Sequence, residues 1–486
     1  MLGRRWGAVL LVLYALIVLA ITDKRITPSG ALLSRLALVD SLVERGTFAI
    51  DDSSFFSTVD KVQIDGRFYC DKLPILPVAT AAIYAVLCHP LGVTFDSHPG
   101  LTLFILTYLT VGIATIVLVA LFYREVRRAG LGGRRALLLT AILGLATLVL
   151  TYAGTYQNHT ITAVFLFAGF VAIRAAREGN GKAALLSGIW IGMAAASEMP
   201  TGFAFGGAFG LSLVMAPRPG RLRCALAGSF AGGFAIPILV TAVILLIAWG
   251  DPRPAYLIPG AYDYEGSVFA EREAGVIQST RVPANIVAYA FHNILGIRGL
   301  FSTTPVLLAG LFGLVSLWRR REDPRRWEVT ALGLGLVVAI AFYTVATDSY
   351  GGWAYGLRFF VPLAPVLLYL AVHLPDRIWS GRPGLVMACL LGLSLPLAWI
   401  GAYHPWTPCY QGETIRDPYA DVVRWPAAGN LAALLEEWLP NSALAARARR
   451  SLIDPDDAVS YRYLAVSFHS QGKISERDRM RLRGGR

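Results

Sequence analysis

The sequence predicts an all-α polytopic membrane protein, and three observations predict it. Apolar residues make up 55% of the 486-residue chain and charged residues only 16%, with a mean hydropathy of +0.54, well to the apolar side of a soluble chain. The apolar residues fall into runs at 6–22, 101–123, 136–153, 160–173, 183–197, 202–216, 225–249, 305–318, 330–346, 360–375 and 384–402. Several are shorter than the roughly 20 residues that cross about 30 Å of hydrocarbon, but their Gly, Thr and Tyr flanks can extend them. Lone helices are the only open segments that satisfy their own backbone in lipid, so the runs read as a helical bundle. Arginines then recur in alternate connections.

Residues 6–22 begin the bundle. Tyr14, Leu16 and Ile21 lead into a charged segment without a small-x-small cleavage pattern, so the run reads as an anchor rather than a cleaved signal. Residues 23–100 form a long outer loop. Within it Leu32, Leu36, Val39 and Val43 repeat at helical spacing opposite Ser34, Ser41, Glu44 and Arg45, which predicts an amphipathic helix lying on the outer leaflet. Gly46 supplies its stop.

Residues 73–88 are apolar enough to cross, yet counting them would put Arg124, Arg127, Arg128, Arg134 and Arg135 outside. They are therefore read as an interfacial or re-entrant helix, and a twelve-crossing arrangement is the alternative. With eleven crossings, Arg4 and Arg5; Arg174, Arg177 and Lys182; Arg218, Arg221 and Arg223; Arg319 to Arg321, Arg325 and Arg326; and Arg377 and Arg382 all fall inside. The short opposite connections at 154–159 and 198–201 hold no Lys or Arg. The asymmetry predicts a cytoplasmic N-terminus and an extracytoplasmic C-terminus. Gly228, Gly232 and Gly233 suit close helix packing.

Residues 1–402 then form the membrane domain, with outer loops at 23–100, 250–304 and 347–359. Residues 403–486 form a small extracytoplasmic appendage with a short helical pattern at 429–438 and one helical repeat near Tyr461–Lys473. Cys70 and Cys409 both lie outside and could pair in an oxidising compartment; two unpaired thiols are the alternative. No zinc spacing, Walker loop, Rossmann fingerprint or aromatic-basic nucleic-acid surface occurs, and the inner loops explain most of the net charge of +12.

The chemistry candidates begin with Asp60, Lys61, Asp65, Asp71 and Lys72 on the first outer loop. A carboxylate can take the proton from a hydroxyl that attacks a sugar carbon, while a cation holds a departing phosphate. Adjacent Asp71 and Lys72 converge only if the backbone turns; solvated ion pairs are the plain alternative. His159 could bind a phosphate or hydroxyl, or cap a helix. Glu198 could bind a sugar or pair structurally. Arg298 and Arg358 stand at outer membrane boundaries, where charge is costly without a partner and the guanidinium fork suits phosphate, although snorkelling to headgroups also accounts for them.

Several stretches occur in a telling order: Arg35 and Gly46 in the first outer loop, Tyr69-Cys70-Asp71-Lys72-Leu73-Pro74, Arg298-Gly299-Leu300-Phe301 and Gly351-Gly352-Trp353-Ala354-Tyr355-Gly356-Leu357-Arg358. In these, residues 1–402 resemble the GT-C superfamily of membrane glycosyltransferases, in particular the bacterial relatives of the protein O-mannosyltransferase and lipid A aminoarabinose transferase group. The resemblance implies a GT-C type bundle of about eleven transmembrane helices with outer-face juxtamembrane helices, in the bacterial cytoplasmic membrane. It implies inverting transfer of a sugar from a polyprenyl-phosphate donor to a lipid, glycan or protein acceptor, among membrane lipids.

By the same motifs Lys72 matches a carrier-phosphate contact and Asp71 the neighbouring acidic residue. Many members carry an acidic pair just after the first crossing; here that stretch reads Ser29 to Arg35, which leaves the base open among Asp60, Asp71 and Asp40. Substrate contacts are expected from Lys72, Arg358, Tyr69, Tyr355, Arg35, His159, Glu198 and Arg298, with Tyr69 and Tyr355 at headgroup level and Lys72 and Arg358 facing one cavity. Lys72→Met and Arg358→Leu are both expected to weaken donor use more than folding. No nucleotide cradle is required because the donor is already attached to lipid, and a divalent metal is possible, with Asp60, Asp65 and Asp71 able to supply oxygen ligands. A transporter or flippase of lipid-linked sugars is the alternative function, and a noncatalytic scaffold a third.

Overall fold

The computed structural model describes residues 2–269, 285–347, 350–408, 422–423 and 425–484, with side chains from residue 5 onward. Each of the eleven apolar runs is carried by helix. The bundle opens with α1 (Leu2–Ile21) and then, after the first outer loop, continues with α4 (Pro99–Thr107), α5 (Ile113–Arg128), α6 (Gly133–Leu145), α7 (Leu148–Ala153), α8 (Asn158–Arg177), α9 (Gly181–Ser197), α10 (Met199–Val214) and α11 (Gly220–Trp249). It closes with α12 (Ile286–Ile294), α13 (Leu300–Thr303), α14 (Leu308–Arg319), α15 (Arg326–Val345), α16 (Leu363–Leu370) and α17 (Gly381–Tyr403). Five helical stretches, 99–128, 158–177, 220–249, 326–345 and 381–403, are long and apolar enough to cross a membrane; five shorter apolar ones are 5–21, 75–91, 199–214, 305–319 and 363–373. The run at 136–153 is broken between α6 and α7, where Thr147 caps α7 by accepting from the Val149 amide.

The segment between α1 and α4 is a folded unit rather than a surface strap. Helix α2 (Gly30–Asp40) was expected to lie on the leaflet with a polar face outward. Instead Ser34 and Ser41 are as buried as Leu36 and Val39, all at 0% exposure, because α2 is packed among α3 (Ile75–Ile83), the hairpin and Tyr156. The serines are satisfied inside the protein, whereas Glu44 and Arg45 of the same expected polar face are exposed, so the helical spacing was real and the polar face is divided between core and surface. Gly46 ends this segment at φ +65, a left-handed stop that favours glycine.

A two-stranded antiparallel hairpin interrupts the all-α pattern. Strands β1 (Lys61–Ile64) and β2 (Arg67–Cys70) pair with Val62 opposite Tyr69, and Asp65 and Gly66 turn the chain with φ of 49 and 77, the two positive values a tight hairpin turn requires. The apolar stretch after it, 75–91, packs Leu76, Ala81 and Tyr84 into the same cluster as Leu32 and Leu36.

Of the three glycines read as packing sites, only Gly233 serves as one: a Cβ there would stand 2.2 Å from the Leu185 carbonyl oxygen, whereas Gly228 and Gly232 meet nothing within 4 Å. The expectation missed Gly188, whose Cβ would stand 2.1 Å from the Phe230 carbonyl oxygen, so α9 and α11 touch backbone to backbone.

At the arginine-rich end of the bundle the charges find partners. Glu125 accepts from Arg124 and Arg128 at 3.1 and 2.8 Å and lies 3.3 Å from Arg174. Fully buried Glu328 lies 3.4 Å from Arg174 and 3.1 Å from His373. His159 lies in the first turn of α8 and Arg174 in its last, about 22 Å apart at 1.5 Å per residue; Glu328 and Tyr343 are separated alike along α15.

Beyond α17 the appendage consists of α18 (Pro426–Trp438), α19 (Ala443–Leu452), α20 (Asp457–Ser470) and α21 (Ile474–Gly484). Buried Asn430 donates to the carbonyls of Ile400 and His404 at 3.0 and 2.8 Å and accepts from Thr407 at 2.8 Å. It thus satisfies the C-terminal carbonyls of α17 that no helical turn follows. Lys473 and the Tyr403 hydroxyl both reach Glu437. Cys409, and with it the Cys70 pairing, lies outside the described residues; Cys70 itself is buried, 3.1 Å from the Ser34 hydroxyl.

Candidate active site

A cavity of about 1370 Å³ opens where α8, α10 and α15 meet the segment between α1 and α4. Its wall has two characters. Arg35, Asp60, Asp71, Lys72, His159, Glu198 and Arg358 line one part; Phe203, Ala204, Gly207 and Ala208 of α10 and Leu334, Val338 and Phe342 of α15 line another. Phe203, Leu334 and Val338 are exposed, so the apolar part forms a slot along the bundle surface.

The hairpin delivers the acidic groups. Past the end of β2 at Cys70 the chain bends at Lys72, which lets adjacent Asp71 and Lys72 converge instead of alternating across a strand. The Lys72 ammonium lies 2.8 Å from Asp60 and 2.8 Å from Asp71. Asp71 also accepts from the hydroxyls of Ser34 and Tyr262, both at 3.3 Å, and its side chain is only 4% exposed. Asp60 is more open, at 17%.

Burial pushes the Asp60 carboxyl up, but Lys72, then Arg358 and Arg35, pull harder and hold it below the usual carboxylate range. Burial lifts Asp71 above that range, and the Asp60 charge adds to the lift against the pull of Lys72 and Arg35. Burial alone would lower Lys72, yet the two carboxylates hold it above its ordinary value. The trio is two anions sharing one cation.

Arg35 occupies the floor. It donates to the Ala31 carbonyl at 2.8 Å and to the Asn158 side-chain oxygen at 2.6 Å, while Asn158 donates to the Ser197 carbonyl at 2.9 Å. Across from it, His159 Nδ1 lies 2.7 Å from Glu198 Oε2. Glu198 Oε1 accepts from the Tyr343 hydroxyl and, at 3.3 Å, from Thr201. Tyr343 stacks on Phe359 at 4.7 Å, and Phe359 meets the His159 ring edge-on at 5.4 Å.

Arg358 differs from the other cations. Among the described residues it has no carboxylate within ion-pair distance and no hydrogen-bond partner. Its guanidinium lies over the rings of Trp406 and Phe359 at 5.6 and 5.7 Å. Lys72, by contrast, has two carboxylate partners at 2.8 Å, so its loss would leave two carboxylates without their cation and the loss of Arg358 would leave none.

Arg35, Asp60, Asp71, Lys72, His159, Glu198 and Arg358 thus line one cavity, while other candidates stand elsewhere. Asp40 accepts from Ser53 at 2.7 Å and pairs with Arg45, a bond set that ties down the end of α2 away from the cavity. Tyr69 packs edge-on against Trp249 at 5.7 Å, at a small separate recess. Tyr355 presents no surface to headgroups: it is at 0% exposure, its ring filling the space beside Gly401. Arg298 is also at 0% exposure and donates to the carbonyls of Tyr350, at 2.9 Å, and Gly352, bracing the loop that leads to Arg358. Asp65 sits in the hairpin turn, and among the described residues no three His, Cys, Asp or Glu side chains gather as a metal cluster. The trio Asp60, Asp65 and Asp71 therefore does not fit a metal.

The sequence reading missed Tyr262, Tyr343, Phe359, Trp406 and Ser470, all in the cavity wall. Tyr343 had a signal, a hydroxyl near the end of the 330–346 apolar run. Ser470 had none: it arrives from the appendage, held by a 3.1 Å contact to His404.

Two solved structures share this architecture, both of ArnT from Cupriavidus metallidurans. The one bound to undecaprenyl phosphate matches at TM-score 0.50 and 15% identity, covering 98% of this chain and 78% of that one. The apo structure matches at TM-score 0.52 and 15% identity, covering 100% and 78%. The chain has the fold of ArnT. That fold is a polytopic bundle of apolar helices. No family model matches the chain, and no curated protein matches it.

Proposed function

We propose that this chain is an inverting glycosyltransferase of the bacterial cytoplasmic membrane that moves a sugar from a polyprenyl-phosphate donor to a cell-envelope acceptor on the outer face. The observation that carries the reading is the cavity's division into a charged head, with Arg358 unpaired among the described residues, and an apolar slot between α10 and α15. A charged phosphate on a long hydrocarbon has that shape. The ArnT structure bound to undecaprenyl phosphate supports the same donor class here.

Lys72 and Arg358 hold the donor phosphate, and the first turns of α2, α8 and α10 add their helix N-termini, since Ser29 to Ala31, Gln157 to His159 and Glu198 to Pro200 all line the cavity. The acceptor hydroxyl attacks the anomeric carbon opposite the phosphate. The carbon–oxygen bond to phosphate breaks, its electron pair leaves with the polyprenyl phosphate, and the two cations stabilise the charge that forms. The proton passes to the cavity wall, where Asp60, Asp71 and His159 have the chemistry. The buried network of Glu125, Arg174, Glu328 and His373 at the far ends of α8 and α15 favours transfer over transport, because a substrate path through the bundle would have to disrupt it.

The test is release of polyprenyl phosphate by the full chain in nanodiscs, given a panel of undecaprenyl-phosphate sugars with an envelope lipid and glycan extract. Transport of intact donor across vesicles without bond cleavage would replace this reading with the flippase.

A further inference from the structure

We propose that His159, oriented by Glu198, takes the acceptor's proton. The assignment rests on the transfer reading above and names the group within that site that does the proton chemistry.

The three candidates differ in what their lone pairs already do. Asp71 accepts from Ser34 on one oxygen and from Lys72 and Tyr262 on the other, so both of its oxygens are engaged, and its side chain is only 4% exposed. Asp60 keeps one oxygen less engaged, but that oxygen lies against α2, 2.9 Å from where a Cβ on Gly30 would stand. The cations Lys72, Arg358 and Arg35 also favour its ionised form, which makes it a weak proton acceptor.

His159 is built differently. Glu198 takes the Tyr343 and Thr201 hydroxyls on Oε1 and faces Nδ1 with Oε2. An ionised carboxylate only accepts, so the proton in that bond belongs to Nδ1. Nε2 is left with its lone pair, and no described residue bonds to it. The ring lines the cavity, fixed by the edge-on contact with Phe359 and by the bond its backbone amide donates to Gln157 at 2.6 Å. Arg35 of α2, Arg358, Glu198 and Tyr343 of α15 are the charged and titratable groups that face it from the packed elements.

A lone pair at Nε2 repels phosphate oxygens and accepts an O–H. As the acceptor oxygen bonds to the anomeric carbon, its proton passes to Nε2 and the phosphate leaves with the electron pair of the broken bond. Glu198 then stabilises the imidazolium, as a buried carboxylate does for a histidine base in other folds. Glu198 is accordingly a positioning residue.

The experiment compares wild type, His159→Gln, Glu198→Gln and Asp60→Asn as full chains in nanodiscs, reading kcat against pH with the donor panel and binding of undecaprenyl phosphate by titration. His159→Gln should lose roughly a hundred- to ten-thousandfold in kcat, with undecaprenyl phosphate binding unchanged, and should lose the acidic limb of the pH profile. Glu198→Gln should move that limb to lower pH, since the imidazolium loses its counter-charge; Asp60→Asn should keep it. Histidine-selective 15N NMR supplies a readout apart from activity, with the Nδ1–H tautomer expected for neutral His159. Wild-type kcat in folded His159→Gln, an acidic limb that survives it, or an Nε2–H tautomer overturns the assignment while leaving the transfer reading intact. Absence of undecaprenyl phosphate release by the wild type with every donor overturns both.

Discussion

Removing Arg358 and removing Lys72 should have unequal consequences for the folded protein. Arg358→Leu leaves no carboxylate orphaned, because none pairs with it among the described residues. It forfeits stacking over Trp406 and Phe359, worth about 0.5–1 kcal/mol each, and recovers the cost of desolvating a guanidinium, so stability should change by no more than about 1 kcal/mol. Lys72→Met strands Asp60 and Asp71, each 2.8 Å from the lost ammonium. An unsatisfied buried charged group costs about 1–3 kcal/mol or more, and two share the loss. Donor binding should fall in both variants, by the roughly 1.5–3 kcal/mol of a charge-assisted phosphate contact, or about ten- to a hundredfold in Kd. Thermal unfolding in detergent and titration with undecaprenyl phosphate measure the two quantities on one sample. If Arg358→Leu unfolds as readily as Lys72→Met, or binds undecaprenyl phosphate as the wild type does, the view of Arg358 as a cation reserved for ligand is wrong.

Asp71→Asn tests the electrostatics by sign. Because the folded carboxyl titrates above its ordinary value, ionised Asp71 costs stability, so the variant should unfold at or above the wild-type temperature at pH 7 and the difference should close as pH falls below about 4; a loss at pH 7 that shrinks on acidification would contradict this. Gly207→Trp should fill the apolar slot without a backbone clash, since a Cβ there meets nothing within 4 Å; binding of undecaprenyl phosphate should weaken while that of a short-chain lipid phosphate is spared, and equal loss for both would move the tail elsewhere. Gly313→Ala places a Cβ 2.0 Å from the Leu370 carbonyl oxygen, so α14 and α16 must separate, costing about 1–3 kcal/mol in thermal unfolding. Asn430→Ala removes the bonds to Ile400, His404 and Thr407 and should make residues 426–484 cleavable by protease at concentrations that leave the wild type whole; unchanged resistance would mean that Glu437 and Lys473 hold the appendage alone.

The membrane bundle was legible in the chain because hydrocarbon imposes a one-dimensional rule: a long run of apolar residues has to be helical wherever it sits. The bend that ends β2 was foreshadowed too, since Asp71 and Lys72 could converge only if the backbone turned. Local composition, however, does not report which neighbours surround a helix. Leu32, Leu36 and Val39 announced α2 correctly, yet Ser34 is buried beside Asp71 rather than wetted, and Asp65-Gly66 made a hairpin turn inside a chain read as all helix.

The site divides the same way. Its charged residues stood out from the sequence because charge near lipid is conspicuous, but whether each cation was spent or free depended on which groups the fold brings against it. Arg298 and Arg358 have the same side chain and similar boundary positions. The first is consumed by the carbonyls of Tyr350 and Gly352, whereas the second reaches the cavity between Trp406 and Phe359. Tyr355 and Tyr343 divide likewise, one sealed against Gly401 and the other bonded to Glu198. The sequence alone determined which chemical groups were present and at which end of the bundle they gather. Only the tertiary structure decided which of them have lone pairs, protons or charge left over for a substrate, because that remainder is set by hydrogen bonds and ion pairs made across the fold.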